Sequence, residues 1–173
     1  AAGASEEPAS GAGARLESVR RVKEGVWGVR PRNKEQHYAI DALLDDEIKL
    51  VTLIGKAGTG KTLLAIAAGL QKVVEERDHR KLLVSRPIFP LGRDIGFLPG
   101  DVEEKLNPWM QPIFDNLEFL LEHQRGRKAA SVTKLMTSGI LGIEPITYIR
   151  GRSIPGQYLI VDEAQNLTPL EVK

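Results

Sequence analysis

Hydrophobic and polar positions along the chain follow two spacings, one typical of helices and one typical of buried strands. Helical spacing predicts helices at 32–46, from about Lys61 to Glu76, at 102–123 and at 131–141. Short, β-branched-rich apolar runs predict strands at 49–54, 81–85, 146–149 and 158–161. Because strands and helices alternate, we expect an α/β fold with a mostly parallel sheet flanked by helices.

Two helix starts have their own capping signals. Asn33 can cap the helix at 32–46, with Gln36 three residues further on. Near the end of the sequence, Thr168 is followed by Pro169 and Glu171, which predicts another N-cap and a new helix. The sequence stops one turn later, so we expect a domain that is C-terminally incomplete.

The pattern also predicts where the folded domain begins. Residues 1–14 are mostly Ala, Gly, Ser and Pro and cannot form a core, so we interpret 1–25 as a flexible linker that follows another domain. The partial domain then covers 26–173, with Trp27 as a packing anchor. Within it, 86–101 is a long Pro/Gly-rich loop, and loops of this length are usually functional or disordered. In the helix at 102–123, Pro108 and Pro112 predict a break or kink.

Composition excludes several classes of protein. Of the 173 residues, 42% are hydrophobic and 27% are charged, which is typical of a globular domain. No apolar run approaches the roughly 20 residues of a membrane helix, so we expect no membrane partner. Cysteine is absent, which excludes disulfides and thiolate metal sites and favours the cytoplasm. The net charge of +1 does not indicate an acidic partner.

The sequence GKAGTGKT at 55–62 matches the pattern G-x-x-x-x-G-K-[ST], known as Walker A or the P-loop. Glycines let backbone N–H groups turn toward phosphate oxygens, and the next helix directs its positive end at the same anion. Lys61 would supply charge to the β- and γ-phosphates, and Thr62 would supply a hydroxyl ligand to Mg²⁺. The alternative is a glycine turn between a strand and a helix that binds no phosphate. The nucleotide-binding interpretation is favoured because the full motif is present, with an apolar run before it and a helix after it. The predicted nucleotide-binding residues of the loop are Gly55, Lys56, Ala57, Gly58, Thr59, Gly60, Lys61 and Thr62.

The sequence YLIVDE at 158–163 predicts a buried strand that ends in two acids, as in a Walker B motif. Ligands bind at the carboxyl ends of strands in open α/β sheets. Asp162 would therefore bind Mg²⁺, directly or through water, and Glu163 would orient or deprotonate the attacking water. Many strands end in acids that only solvate their tips, but the P-loop in the same domain favours the catalytic interpretation. Two strand-like runs between Lys61 and Asp162 favour a RecA-like arrangement over a kinase-like one.

Other side chains keep two interpretations open. The Gln36 amide can donate and accept together, which suits the N6/N7 edge of adenine, or it can belong to the helix cap. Arginines near strand ends could contact phosphate or could be solvated surface residues. They are Arg86, Arg93, Arg150 and Arg152. His37, His79 and His123 lack metal-like spacing, and Trp109 and Phe114 are expected in the core.

Five segments resemble the PhoH family of predicted ATPases, which are themselves similar to superfamily 1 RNA helicases. They are RNKEQHYAIDALL, GKAGTGKTLLAIAAGLQ, SRPIFPLGRDIGFLPGD, EEKLNPWMQPIFDNL and YIRGRSIPGQYLIVDEAQNLTP. The resemblance covers about residues 26–173, and the long Pro/Gly segment together with DEAQN is distinctive. It implies a RecA-like P-loop NTPase that uses ATP and Mg²⁺.

The resemblance also implies roles that spacing alone does not. Gln36 resembles the glutamine that such helicases use to contact adenine, and Gln165 resembles a helicase residue that senses the γ-phosphate. Family members often carry a PIN-type nuclease domain ahead of the ATPase, and ring or other homo-oligomeric assembly is expected of the full-length protein. Single-stranded RNA is the expected partner. A further Gly-Asp…Gln motif, the next strand and an arginine finger are missing from this sequence, which puts hydrolysis by the fragment alone in doubt.

Three functions therefore compete. The first is an ATPase whose hydrolysis remodels or unwinds RNA. The second is a nucleotide-gated assembly or interaction module without helicase activity. The third is a GTPase or small-molecule kinase, which the sequence disfavours because no Asn-Lys-x-Asp follows the P-loop to select guanine.

Overall fold

The computed structural model describes residues 25–87, 102–123, 131–149 and 151–172. These residues form helices and three strands in the order α1 (Lys34–Leu44), α2 (Lys61–Leu70), β1 (Lys81–Arg86), α3 (Val102–Glu122), α4 (Val132–Thr137), β2 (Leu141–Pro145), α5 (Ile146–Ile149) and β3 (Gln157–Val161). A π-helical turn, Gln71–Glu75, extends α2, and a 3₁₀ turn, Ala164–Asn166, follows β3. Within the described ranges, no helix has both the length and the apolarity needed to cross a membrane.

The sheet is parallel and has the strand order β2-β1-β3. Val84 in the central strand lies opposite Ile143 on one side and Ile160 on the other. Leu82, Leu83 and Val84 are buried, as expected of a strand covered on both faces. The predicted α/β fold with a parallel sheet flanked by helices is confirmed.

Helix α2 packs closely against the sheet because it is apolar on nearly every side. Seven consecutive residues, from Leu64 to Leu70, are buried. A Cβ atom on Gly69 would lie 2.6 Å from Leu82 Cδ1 and 3.1 Å from Tyr158 Cδ1, so any larger residue would displace the buried Leu82 side chain. The close packing sets the depth of α2 against the sheet, and the P-loop at its N-terminus is positioned with it.

Several predicted elements are confirmed. The strands at 81–85 and 158–161 correspond to β1 and β3, although β3 is less buried than predicted, with Ile160 buried and Leu159 38% exposed. Asn33 caps α1 by accepting a hydrogen bond from the Gln36 N–H at 2.8 Å. Trp27 is buried in the core, with a left-handed φ of 48°.

The predicted strand at 49–54 is wrong. This segment has no assigned secondary structure and no strand neighbour among the described residues, and Leu50 and Ile54 are 85% and 93% exposed. Its apolar composition signals a strand, but a strand exists only where another backbone accepts and donates its hydrogen bonds. On the described part of the sheet, β3 pairs with β1 along one edge only.

The predicted strand at 146–149 is also wrong, because these residues form the short helix α5. The strand lies immediately before it, at Leu141–Pro145. Gly139, with a φ of 75°, follows the end of α4, so the chain enters the sheet earlier than the pattern suggests. Pro145 has no N–H and cannot extend the ladder further.

Three helix predictions need correction. The predicted helix at 131–141 is too long, because α4 ends at Thr137 and Leu141 already begins β2. Pro108 and Pro112 do not break α3, which runs from Val102 to Glu122. Burial of Ile113, Leu117 and Leu120 along one face outweighs the hydrogen bonds that the prolines remove. The predicted helix at 168 is a turn.

The capping contacts at that turn are nevertheless present. The N–H and Oγ1 of Thr168 both donate to Glu171 Oε2, at 2.9 Å and 2.8 Å. The Glu171 N–H in turn donates to the Thr168 carbonyl at 2.9 Å. The bond from the Thr168 N–H to Glu171 is the predicted half of a capping box, whereas Thr168 Oγ1 donates to the same carboxylate and the Glu171 N–H bonds to the Thr168 carbonyl.

The π-helical turn after α2 buries a lysine. Lys72 is 3% exposed, and its Nζ lies 2.7 Å from Asp46, 2.9 Å from Glu76 and 3.2 Å from Asp78. Burial alone would lower the pKa of Lys72, but the hydrogen bonds to these carboxylates raise it above its ordinary value. The Lys72 hydrogen bond also lowers the pKa of Asp46. Lys72 thus ties the segment after α1 to the end of α2.

Substitution Lys72→Met is expected to lower the free energy of unfolding by about 2 kcal/mol, because three carboxylates lose their shared cation. The cost stays moderate because all three carboxylates reach solvent. Since the pKa of Asp46 is lowered, the contribution is present at neutral pH and is lost on acidification. Urea denaturation followed by tryptophan fluorescence measures the change. Lys134→Met, at an exposed position on α4, is the matched control.

Candidate functional site

The P-loop turns sharply into α2 at two glycines. Gly58 and Gly60 have φ values of 73° and 84°, a region that side chains with a Cβ rarely adopt. Gly60 is the N-cap of α2, and its carbonyl accepts the first helical hydrogen bond from the Leu64 N–H at 2.9 Å. The loop therefore brings its backbone N–H groups and the positive end of a ten-residue helix to one place. That arrangement suits an anion.

Lys61 lies across the loop. Its Nζ donates to the carbonyl oxygens of Gly55 and Lys56, each at 2.9 Å. Thr59 Oγ1 also donates to the Lys56 carbonyl at 2.9 Å, which closes the turn from the other side. The ammonium is thus held inside the curve of the backbone, where it can neutralise the charge of bound phosphate groups.

Asp162 lies beside the P-loop, directly after the carboxyl end of β3. Its N–H donates to the Ser85 carbonyl at 2.8 Å, which continues the β1–β3 ladder by one residue. Thr62 Oγ1 donates to Asp162 Oδ1 at 2.8 Å, although the two residues are 100 positions apart in the sequence. The hydroxyl and carboxylate predicted to bind a metal are therefore neighbours at the carboxyl end of β3.

Glu163 has a strained backbone. Its φ of 53° and ψ of 38° place it in the left-handed region, which is uncommon for glutamate. Strained residues of this kind cluster at functional sites. Gln165, on the 3₁₀ turn, donates its side-chain N–H to Glu163 Oε2. The predicted base and the predicted γ-phosphate sensor are thus in contact.

Gln36 reaches the P-loop from α1. Its Oε1 accepts from the Arg32 N–H at 2.8 Å, and its Nε2 donates to the Thr59 carbonyl at 3.1 Å. The amide is therefore fixed beside the loop rather than exposed at random. Each end keeps one unused donor or acceptor position, so contact with a base edge is compatible with both bonds.

The four candidate arginines separate into distinct groups. Arg86, at the end of β1, directs its guanidinium at Glu163, with Nη2 3.8 Å from Oε1. Arg152 pairs with Glu144 at 2.6 Å and also donates to the Tyr148 carbonyl, so its described contacts lie near the end of β2. Arg93 and Arg150 lie outside the described residues, as do the linker up to residue 24 and the long loop from residue 88 to 101.

The residues present fit a nucleotide with a divalent metal ion. Thr62 and Asp162 offer oxygen ligands of the kind that Mg²⁺ binds, usually with several waters retained. A Cβ atom on Gly58 would meet no atom within 4 Å, so the backbone is open on that side. No group of three or more histidines or acids in the described part of the chain forms a separate metal site.

Sequence reasoning missed one relation at this site. The sequence offered Arg86 as a phosphate contact or as a solvated surface residue. In the structure it faces Glu163, and its Nη1 donates to the Trp109 carbonyl in α3 at 3.2 Å. Ser85 pairs with Val161, so Arg86 and Glu163 both lie just past the last pair between β1 and β3. This pairing is the signal that could have predicted their contact. Recognising it required the strand order, which the pattern did not supply.

Comparison with known proteins agrees with this geometry. The sequence profile of the PhoH family, described as "PhoH-like protein", matches residues 28–173. "Protein PhoH2" of Bacillus subtilis (strain 168) is 57% identical over 150 residues, which are 87% of this chain and 34% of that protein. "Protein PhoH2" of Mycolicibacterium smegmatis is 45% identical over 154 residues, or 88% of this chain and 34% of that protein. The "PhoH-like protein" of Bacillus subtilis is 40% identical over 124 residues, 72% of this chain and 37% of that protein.

The chain spans about a third of the length of these relatives. The profile covers every site residue described above, from Gln36 to Gln165. The match also accounts for the α/β architecture, which corresponds to a RecA-like P-loop fold, and it implies nucleotide binding with a divalent metal ion. This chain belongs to the PhoH family of P-loop ATPases.

Proposed function

We propose that this chain binds ATP and Mg²⁺ in the P-loop, and that the full-length protein hydrolyses the ATP to remodel or unwind RNA. The observation that carries the proposal is the hydrogen bond of 2.8 Å between Thr62 and Asp162. It joins the phosphate-binding loop to the acidic end of β3, and Glu163 follows directly. This proximity supports a site in which the proposed phosphate-binding, metal-binding and base residues act together at one edge of the sheet.

Each residue has a distinct role in this proposal. Backbone N–H groups of 55–62 and the Lys61 ammonium bind the phosphates, while Gln36 contacts the adenine. Thr62 and Asp162 hold Mg²⁺, which would offset charge on the phosphate oxygens. Glu163 accepts a proton from the attacking water, and Gln165 contacts the γ-phosphate.

The RNA part of the proposal is supported by the likeness of the motifs to superfamily 1 RNA helicases. We further propose a cytoplasmic, homo-oligomeric full-length protein in which residues 1–25 link this domain to a PIN-type nuclease domain. Single-stranded RNA is the proposed partner, and the domain proper covers 26–173.

The test is steady-state ATP hydrolysis by the full-length protein, with and without single-stranded RNA. We expect RNA to raise turnover several-fold, because a motor of this kind couples its hydrolysis to the bound strand. Turnover indifferent to RNA would exclude the RNA-dependent part. Size measurements with and without ATP would then show whether nucleotide controls assembly instead.

A further inference from the structure

Arg86 is held at both ends of its guanidinium. Nη1 donates to the Trp109 carbonyl at 3.2 Å, and Nη2 lies 3.8 Å from Glu163 Oε1. The Arg86 side chain is 21% exposed and the Glu163 side chain is 41% exposed. The arginine is thus the more buried and the more constrained partner, since its planar group is oriented by a backbone oxygen of α3.

The Glu163 side chain needs contacts to orient it, because its own bonds leave it free to rotate. Its backbone is fixed in the left-handed region, but a glutamate keeps three rotatable side-chain bonds. Gln165 donates to Oε2, and Arg86 faces Oε1, so the carboxylate is contacted on both oxygens. A carboxylate offers about four lone-pair positions, which leaves room for a water molecule.

We propose that Arg86 is a positioning residue for Glu163, which holds the carboxylate in the orientation that hydrolysis requires. This rests on the proposed function, in which Glu163 is the base. The contact with Trp109 orients the guanidinium from α3, so the placement of the base depends on how α3 packs beside the end of β1. Arg86 acts through Glu163 and does not need to touch the nucleotide.

The first experiment measures kcat and KM for ATP in full-length Arg86→Gln and Arg86→Lys. Glutamine keeps a polar side chain at this position and removes the charge that faces Glu163. We expect kcat to fall about tenfold in Arg86→Gln, because a misplaced general base loses part of its 10²–10⁴-fold contribution. KM and nucleotide affinity should stay within about twofold, and Arg86→Lys should recover part of kcat by restoring charge.

The deciding experiment adds Arg86→Gln to Glu163→Gln and measures single-turnover hydrolysis. If Arg86 acts through Glu163, the second substitution costs nothing further, because the group it positions is already gone. An equal tenfold loss in both backgrounds would overturn the proposal, as would weaker nucleotide binding by Arg86→Gln. Arg152→Gln, whose guanidinium pairs with Glu144, is the matched control and should keep kcat within about twofold.

Failure of this inference is distinguishable from failure of the proposed function. Hydrolysis by the unsubstituted protein that is lost in Lys61→Ala supports the proposed function, whatever Arg86 does. Normal turnover in Arg86→Gln would then overturn only the positioning role. Thermal melting of each variant separates loss of fold from loss of orientation, and Arg86→Lys provides a second variant if Arg86→Gln is unstable.

Discussion

Full-length protein with Lys61→Ala is expected to bind ATP at least about 100-fold more weakly than the unsubstituted protein, a loss of about 2.7 kcal/mol. The Lys61 ammonium lies within the loop, 2.9 Å from the carbonyls of Gly55 and Lys56. Its removal leaves the phosphate charge to be met by backbone N–H groups, the end of α2 and the proposed Mg²⁺, without a side-chain cation from the loop. Titration calorimetry or a fluorescent ATP analogue measures the affinity.

The matched control for this prediction is Lys134→Ala, which removes an exposed ammonium from α4. It should leave affinity unchanged, so that a loss in Lys61→Ala reports the position of the charge and not the net charge of the domain. Near-normal ATP affinity in Lys61→Ala would contradict the assignment of 55–62 as a phosphate-binding loop.

Glu163→Gln is expected to keep ATP affinity within about threefold while kcat falls at least about 100-fold. Glutamine matches the size of glutamate but its amide does not accept a proton, so binding and catalysis separate. The substitution also keeps a side chain that Gln165 and Arg86 can contact, which limits structural change. Nucleotide affinity and steady-state phosphate release in the full-length protein measure the two effects.

Glu118→Gln removes an exposed carboxylate from α3 and should leave both parameters unchanged. Unchanged turnover in Glu163→Gln would mean that another group serves as the base. Equal losses in affinity and turnover would instead indicate that Glu163 takes part in binding, and the positioning role of Arg86 would then need a different target.

Features encoded over a few residues were predictable. The P-loop glycines, the Asn33 cap and the capping contacts of Thr168 with Glu171 depend on neighbours within three or four positions. Strands β1 and β3 were also predictable because both are short apolar runs, although the fold buries β1 more completely than β3. In each case the local hydrogen bonds or the local pattern suffice to specify the structure.

The strand predictions that were wrong concern segments whose structure depends on a partner far away in the sequence. Residues 49–54 have the composition of a strand, yet no neighbouring backbone pairs with them in the described part of the chain. Residues 146–149 have the same kind of composition, but the register of β2 against β1 is completed at Pro145. Composition indicates which secondary structure a segment can adopt, whereas strand pairing depends on which strand lies beside the segment.

The fold class was predictable from the alternation of strands and helices, and the P-loop and the acids at the end of β3 from short motifs. Three contacts became visible only in the folded chain: Thr62 with Asp162 across 100 positions, Gln36 with the Thr59 carbonyl, and Arg86 with Glu163. Those contacts depend on strand order and on the packing depth of α2, which arise from interactions between residues far apart in the chain. The motifs therefore predict which residues form the candidate site, whereas the arrangement of those residues at one edge of the sheet is a property of the fold.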